Sequence, residues 1–417
     1  MPIREERLHA RVDQLSQIGR FGETGVCRLA LSPEDAEGVR LVRSWMEEAG
    51  LWTRLDAFGN LIGRLEGLQK DAPILMLGSH IDSQPYGGRF DGAIGVLGAI
   101  EAVQSLVESG RKTLMPIEVV AFCDEEGSRF KQGLFGSRGI TGRLARGELE
   151  REDCQGISRR DALLRFGGDP ERFEEDQYEQ GSIGAYLELH IEQGPVLEAM
   201  GEPIGIVTGI SGPLWLTVEM TGTAGHAGSV PMSMRQDPLV GCAAVITGLH
   251  ELARREEGAP TVGTVGSVEV FPNSRNIIPE KVIFTLDLRD IDLARRHRLE
   301  RELYALLQAA ADAGGLTYTV REDTNSEPRY CADWIKGLLH EQAGRMGLRA
   351  PELMSGPFHD GLALSHWCDY GMIFVRSEGG ISHHPKEYSS PQDIALGVQL
   401  LYEAVYELAG SGIAKRK

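Results

Sequence analysis

His80, Asp82 and Asp91 fall within one short stretch, Gly-Ser-His80-Ile-Asp82-Ser-Gln84-Pro85-Tyr-Gly87-Gly88-Arg89-Phe-Asp91-Gly92, directly after an apolar run at 73–79. Imidazole and carboxylate are the donors that divalent cations take, and zinc sites of the catalytic kind keep one position open for water. Glu126 in Cys123-Asp124-Glu125-Glu126-Gly127, His190 at the end of an apolar segment from Ile183, and His383 in Gly-Ile-Ser-His383-His384-Pro offer the same donors. Each sits where an apolar strand runs out into a Gly-rich or polar turn, the place where an open α/β sheet binds its ligands. Asp82 lies two residues past His80, on the same side of an extended backbone, so its carboxylate can accept the second ring N–H and fix the tautomer. Gly87, Gly88 and Gly92 allow tight turning around Asp91. The stretch lacks both the glycine order and the lysine of a phosphate-binding loop.

Three successive carboxylates, Asp124, Glu125 and Glu126, follow the apolar segment 117–122. That arrangement is costly unless cations neutralise it. Side chains of adjacent residues diverge, so one carboxylate can hold a metal while its neighbour faces the activated water. The neighbour then acts as general base on that water and as general acid to the leaving nitrogen.

The elements that must position these groups follow from periodicity and turn chemistry. Leu8, Val12, Leu15 and Ile18 give one helix; Ser32 as N-cap, Pro33 at the first helical position and Gly50 beyond the end delimit a second. Stretches 51–65 and 73–79 read as strands, 93–109 as a buried helix and 117–122 as a central strand, which together argue an α/β layer fold. The charge-rich 143–180, with Glu148 among its acids, reads as surface helices and loops. Between 213 and 326 the order is strand (214–222), helix (238–255), strands (262–271 and 282–289), helix (293–313), strand (316–321), as in a ferredoxin-like α+β unit. A helix (334–346), a strand (372–375) and a closing helix (391–408) follow. We expect residues 1–212 and 327–417 to form one discontinuous α/β domain around an inserted domain at 213–326.

Composition narrows the partners. The 417 residues, 41% of them hydrophobic, suffice for two cores. With 43 basic against 61 acidic side chains the formal charge is −18, which disfavours nucleic acid and anionic membranes. No stretch approaches ~18 uninterrupted apolar residues and the N-terminus lacks a signal-peptide core, so a cytoplasmic protein is expected. The six cysteines show no Cys-x-x-Cys spacing and are expected to be buried free thiols.

Taken in order, Gly-Ser-His80-x-Asp82 with Asp91-Gly, Glu125-Glu126-Gly, Leu-His190-Ile-Glu-Gln193-Gly-Pro, Thr-Gly-x-Ala-Gly-His226-Ala-Gly, Asn273-x-x-Asn276-x-Ile-Pro, Asp287-x-Arg289 and Gly-Ile-Ser-His383-x-Pro-x-Glu span nearly the whole chain. The set resembles the ureido-hydrolase branch of the di-zinc aminoacylase and carboxypeptidase families: N-carbamoyl-L-amino acid hydrolases, β-ureidopropionases and allantoate amidohydrolases. The resemblance implies a mixed-sheet, metallopeptidase-like catalytic domain whose inserted domain is a lid and homodimerisation surface. It implies two divalent metal ions per subunit, with Asp91 bridging them, His80 and His190 completing one site and Glu126 and His383 the other. Zinc is the expected metal, and manganese, cobalt and nickel suit the same ligands. A histidine at 190, where peptidase relatives use a carboxylate, fits the ureido branch. His384 is a rival for His383, which the motif favours because it directly follows Ser382.

By the same resemblance Glu125 is the base, His226 and Asn276 polarise the scissile carbonyl, Arg289 clamps the substrate carboxylate, His359 lies near the carbonyl and Gln193 contacts the ureido end. The implied reaction is attack of a metal-activated water on the carbamoyl carbon of an N-carbamoyl-L-amino acid or 3-ureidopropionate, releasing amino acid, ammonia and carbon dioxide. Ser83-Gln84-Pro85 before Gly-Gly-Arg favours these substrates over allantoate, with acyl-amino-acid hydrolysis as a further alternative. A metal-free binding protein on the same fold is disfavoured by the full ligand set. Many relatives have Gly-Ala-Gly before the His-Asp, whereas this chain reads Ser355-Gly356-Pro357-Phe358, which stiffens and fills the loop beside His359.

Overall fold

The apolar run before His80 forms a strand, Ile74–His80, in which every residue is buried. Such an unbroken run belongs to a parallel strand covered on both faces. Its neighbours Ile117–Phe122 and Ile183–Ile191 are parallel to it, and Asp369–Val375 is parallel to Ile183–Ile191. Antiparallel strands extend the sheet: Ile204–Ile210 beside Asp369–Val375, and Leu61–Leu65 with Trp52–Leu55 beyond Ile117–Phe122. The computed structural model describes residues 3–412. These strands, apart from the last two residues of Ile204–Ile210, belong to a compact unit built from the chain up to Thr208 and from Cys331 onward; Gly209–Tyr330 is a second unit.

Within the first unit, helix Ala93–Glu108 is buried from Ala93 to Leu106 and shares one core with the closing helix Pro391–Ser411. Helix Pro33–Glu48 starts as its sequence predicts, with the Ser32 side chain accepting the Asp35 N–H and proline in the first turn. The stretch 51–65 is a hairpin rather than one strand, because Asp56 turns the chain by accepting the N–H groups of Phe58 and Asn60. The strand Ile204–Ile210 is not foreseen from sequence; its glycines at 205 and 209 hide the pattern.

The second unit has the strand-helix-strand-strand-helix-strand order. Lys281–Asp290 is flanked by Gly212–Thr221 on one side and by Val262–Thr264 and Val268–Phe271 on the other, and Thr317–Asn325 lies outside Gly212–Thr221; all pairs are antiparallel. Alternate residues of Lys281–Asp290 are buried against helices Pro238–Arg254 and Leu293–Gly314, with Val282, Phe284, Leu286, Cys242, Val245, Leu303 and Leu307 in the core. The second strand is broken at 265–267, where the Ser267 N–H bonds to the Thr285 hydroxyl. The unit is wider than 213–326 because the pair Arg329–Tyr330 with Gly209–Ile210 joins its two chain ends.

All six cysteines are free, but the expectation of burial fails for Cys154, which is exposed, and for Cys27 and Cys368, which are half-buried. Among the described residues no helix is long and apolar enough to cross a membrane.

Candidate active site

Three of the four parallel strands deliver a candidate ligand at or just beyond their carboxyl ends, and the fourth leads into the loop that carries another. His80 ends one strand and stands opposite Phe122, so Glu125 and Glu126 leave the sheet beside it. His190 stands opposite Phe374, and the chain leaving Val375 leads to His383. Asp91 enters from the loop before helix Ala93–Glu108. Gly92, at φ +64°, allows this approach: a Cβ there would come within 2.5 Å of the His80 ring.

Donor atoms of His80, Asp91 and His190 lie within 4.8 Å of one another, and so do those of Asp91, Glu126 and His383. Asp91 is common to both groups. Its Oδ1 is 3.1 Å from His190 Nε2 and 3.7 Å from His80 Nε2; its Oδ2 is 3.1 Å from His383 Nε2. His383 Nε2 is 3.7 Å from a Glu126 oxygen, and His80 Nε2 is 3.6 Å from a Glu125 oxygen. His384 belongs to neither group; its Nδ1 accepts the Lys386 N–H.

The second ring nitrogens are held by backbone. His80 Nδ1 is 3.0 Å from the Asp82 carbonyl and His190 Nδ1 is 2.9 Å from the Ile191 carbonyl, which aims both Nε2 atoms at Asp91. The Asp82 carboxylate therefore does not make the expected bond: it is 3.6 Å from His80 Nδ1 and instead accepts the N–H groups of Glu125 and Glu126, each at 3.3 Å. It fixes the backbone that carries the acidic pair.

Burial makes the charged forms of these carboxylates costly unless protons or a cation neutralise them. Burial raises Glu126 to about 8, with the Asp91 charge adding to the shift, and Asp82 to about 7. Glu125 is pushed well above the carboxylate range by burial, then by Asp360 and Glu126. Asp91 goes the other way: burial would raise it, but hydrogen bonds from His190 and His383 hold it well below its ordinary value. Burial holds His80 down to about 4, whereas Asp91 lifts His383 to about 9. Hard and borderline donors, two ring nitrogens pre-oriented by carbonyls and an excess of buried carboxylates suit divalent cations.

Asp124 has a different counterion. Its carboxylate lies 3.0 Å from the guanidinium of Arg159, which also meets Glu148 at 3.1 Å and donates to the Gln132 carbonyl at 2.7 Å. Arg159 and Asp124 are fully enclosed and Glu148 nearly so. This corrects the reading of 143–180 as surface at these two positions: charge alone does not distinguish a solvated face from a buried ion-pair network. Asp124, Gln193 and His383 all have positive φ, at 54°, 56° and 52°, a strained conformation for non-glycine residues that recurs at functional sites.

Gln193 donates to Asp91 Oδ2 at 2.9 Å and to the Ser382 hydroxyl at 3.2 Å. Gln84 is anchored: its amide donates to Glu126 at 2.6 Å and its carbonyl accepts from the Ser128 hydroxyl at 2.7 Å. From sequence Gln84 is only a clue to substrate; its contact with the acidic pair depends on a neighbour about forty positions away and has no local signal. His359 is buried, 2.8 Å from the Ser355 hydroxyl, with its ring 4.3 Å from that of His190.

In the second unit, His226 and Asn276 come together on a two-stranded ribbon, with His226 paired to Ile277 and the Asn276 carbonyl accepting the Ala227 N–H. Both are exposed. The Arg289 guanidinium donates to both Asp287 carboxylate oxygens, at 3.0 and 2.8 Å, and lies 5.5 Å from the Trp215 ring centre.

This mixed sheet with ligand-bearing strand ends is the architecture of a metal-dependent hydrolase, and the chain belongs to peptidase family M20/M25/M40, whose model matches residues 76–407. Among its relatives, the N-carbamoyl-L-amino-acid amidohydrolase of Pseudomonas sp. (strain NS671) is 46% identical over 97% of this chain and 98% of its own. The N-carbamoyl-L-amino acid amidohydrolase of Geobacillus stearothermophilus is 43% identical over 98% and 99%. A solved amidase of the hydantoinase/carbamoylase family from Burkholderia multivorans superposes with a TM-score of 0.92 at 35% identity, covering 98% of both chains.

Proposed function

We propose that this protein hydrolyses the ureido C–N bond of N-carbamoyl-L-amino acids or 3-ureidopropionate, using two divalent cations per subunit. The observation that carries the reading is the pair of three-residue groups sharing Asp91, with a Glu125 oxygen 3.6 Å from His80 Nε2. His80, Asp91 and His190 hold one cation; Asp91, Glu126 and His383 hold the other, and zinc suits both. When bound, the cations polarise the substrate carbonyl and lower the pKa of water. Glu125 takes the proton of that water as its oxygen bonds to the carbamoyl carbon. The C–N bond to the amino-acid nitrogen then breaks and Glu125 returns the proton to that nitrogen. The carbamic acid released falls apart to ammonia and carbon dioxide.

Burial and the neighbouring carboxylates raise the Glu125 pKa, the direction that suits a proton carrier, and its oxygen 3.6 Å from His80 Nε2 places it beside the first ligand group. Gln193, whose side-chain oxygen is buried without a hydrogen-bond partner among the described residues, contacts the ureido end. His359 lies near the carbonyl, His226 and Asn276 polarise it, and Arg289 clamps the carboxylate with a planar guanidinium. The second unit serves as lid and homodimer surface. Its exposed Leu239, Val240, Ile246, Val262 and Val268 support that surface, and the free cysteines suit a cytoplasmic setting.

The test is a panel of N-carbamoyl-L-amino acids, 3-ureidopropionate, allantoate and N-acetyl amino acids, assayed after reconstitution with zinc, manganese, cobalt or nickel, alongside Glu125→Gln. We expect turnover of the carbamoyl substrates and a loss of about 10²–10⁴-fold in kcat for the variant with its metal retained. Preference for allantoate or acetyl substrates refutes the substrate assignment, and normal turnover by metal-loaded Glu125→Gln refutes the base. Light scattering checks the dimer, which a monomeric mass would rule out.

A further inference from the structure

Glu387 closes the motif that contains His383, yet it belongs to neither ligand group. Its side chain is buried, only 3% exposed, and it returns from late in the chain to the loop that carries Asp91. Oε1 accepts the N–H of Phe90 at 2.9 Å and that of Asp91 at 3.1 Å, and Oε2 accepts the Ser382 hydroxyl at 3.0 Å. The same hydroxyl lies 3.1 Å from Asp91 Oδ2. The rings of Phe90 and Tyr388 meet edge to face at 5.9 Å, so the two segments are also locked by packing. Gly88 lies so close that any Cβ there would overlap the Glu387 carboxyl.

Two backbone N–H groups bound to one carboxylate oxygen fix the peptide plane before Asp91, and through it the direction of the Asp91 side chain. A ligand shared by two cations has little freedom, since displacement by about 0.5 Å spoils both sites at once. We propose that Glu387 is a positioning residue for Asp91, acting through the backbone of residues 90 and 91 without touching cation or substrate, with the small residue at 88 admitting it. This inference rests on the reading of Asp91 as a shared metal ligand.

Metal-stripped wild type, Glu387→Ala, Glu387→Gln and Gly88→Ala are titrated with zinc against a chromogenic chelator, and the cobalt-loaded proteins are compared by visible absorption. For Glu387→Ala we expect both dissociation constants to rise about tenfold to hundredfold, the usual cost of losing a partner behind a ligand. Glu387→Gln keeps a carbonyl oxygen for both N–H groups and should stay within about threefold of wild type with an unchanged cobalt spectrum. Gly88→Ala, which displaces the carboxyl without removing it, should follow Glu387→Ala. In steady state kcat should fall more than KM rises for both weakened variants. Wild-type affinity in folded Glu387→Ala overturns the proposal, as does equal loss in Glu387→Gln. If Glu387→Ala does not fold, wild-type affinity in Gly88→Ala overturns it equally. A wild type that binds no metal pair would refute the proposed function instead, so the two failures are distinguishable.

Discussion

Replacing Arg159 by methionine should destabilise the first unit severely although no ligand is touched. The guanidinium is wholly buried between the Phe130 and Phe135 rings, at 5.0 and 4.6 Å from their centres, and meets Asp124 at 3.0 Å and Glu148 at 3.1 Å. At an effective dielectric of about 20, a contact at this distance is worth roughly 5 kcal/mol before the cost of desolvation. Methionine fills most of the volume but leaves two buried carboxylates, and Glu148 keeps its bond to Arg138 while Asp124 keeps none as strong. Breaking a buried pair on one side costs about 3–5 kcal/mol, and that is the expected loss in urea unfolding of the first unit. Since Asp124 holds a left-handed conformation immediately before Glu125, kcat should also fall, with KM little changed. Adding Asp124→Asn should recover at least half of the lost stability because it removes the stranded charge. A loss below about 1 kcal/mol for Arg159→Met would refute the reasoning, since exposed pairs, not buried ones, give values of that size.

Gln84→Ala removes the amide that donates to Glu126 at 2.6 Å; it should weaken the second cation about tenfold to hundredfold and the first far less, and equal weakening of both in a chelator titration refutes the role. Metal affinity should strengthen from pH 6.5 to 8.5. Burial lowers His190, but the Asp91 hydrogen bond and charge raise it on balance to about 9; Asp91 likewise raises His383 to about 9, and burial raises Glu126 to about 8. Below these values the cation-free ligands carry protons that binding must expel, so affinity gains about tenfold per pH unit for each proton released, and a flat profile by chelator competition counts against it. Arg289→Met should raise KM for carbamoyl amino acids about tenfold to hundredfold, the loss of a charged hydrogen-bond pair worth about 1.5–3 kcal/mol; an unchanged KM removes the clamp.

The candidate ligands were legible because His80 and His190 close apolar runs, Glu126 follows one by four residues and His383 lies in the loop after another; their division into two groups was implied by the resemblance alone. Strand ends are local signals, and the motifs around them hold their order along the chain. The partners behind the ligands were not legible in the same way. Whether the Asp82 carboxylate or its carbonyl meets His80 depends on a rotamer and on where the Glu125 backbone passes. Glu148 and Arg159 look like solvated charges until the fold encloses them, and Gln84 looks like a pocket residue until Ser128 and Glu126 come beside it.

The sequence by itself determined the alternation of strands and helices, the inserted strand-helix-strand-strand-helix-strand unit and the identities of the candidate ligands, because periodicity, caps and motif spacing act over a few residues. Only the tertiary structure decided that the Asp82 carbonyl rather than its carboxylate meets His80, that Arg159 is enclosed between Asp124 and Glu148, and that Glu387 holds the Asp91 backbone from nearly three hundred positions away. Those outcomes depend on contacts of 3.0–3.1 Å set by how separate segments pack, which a single chain read in sequence does not contain.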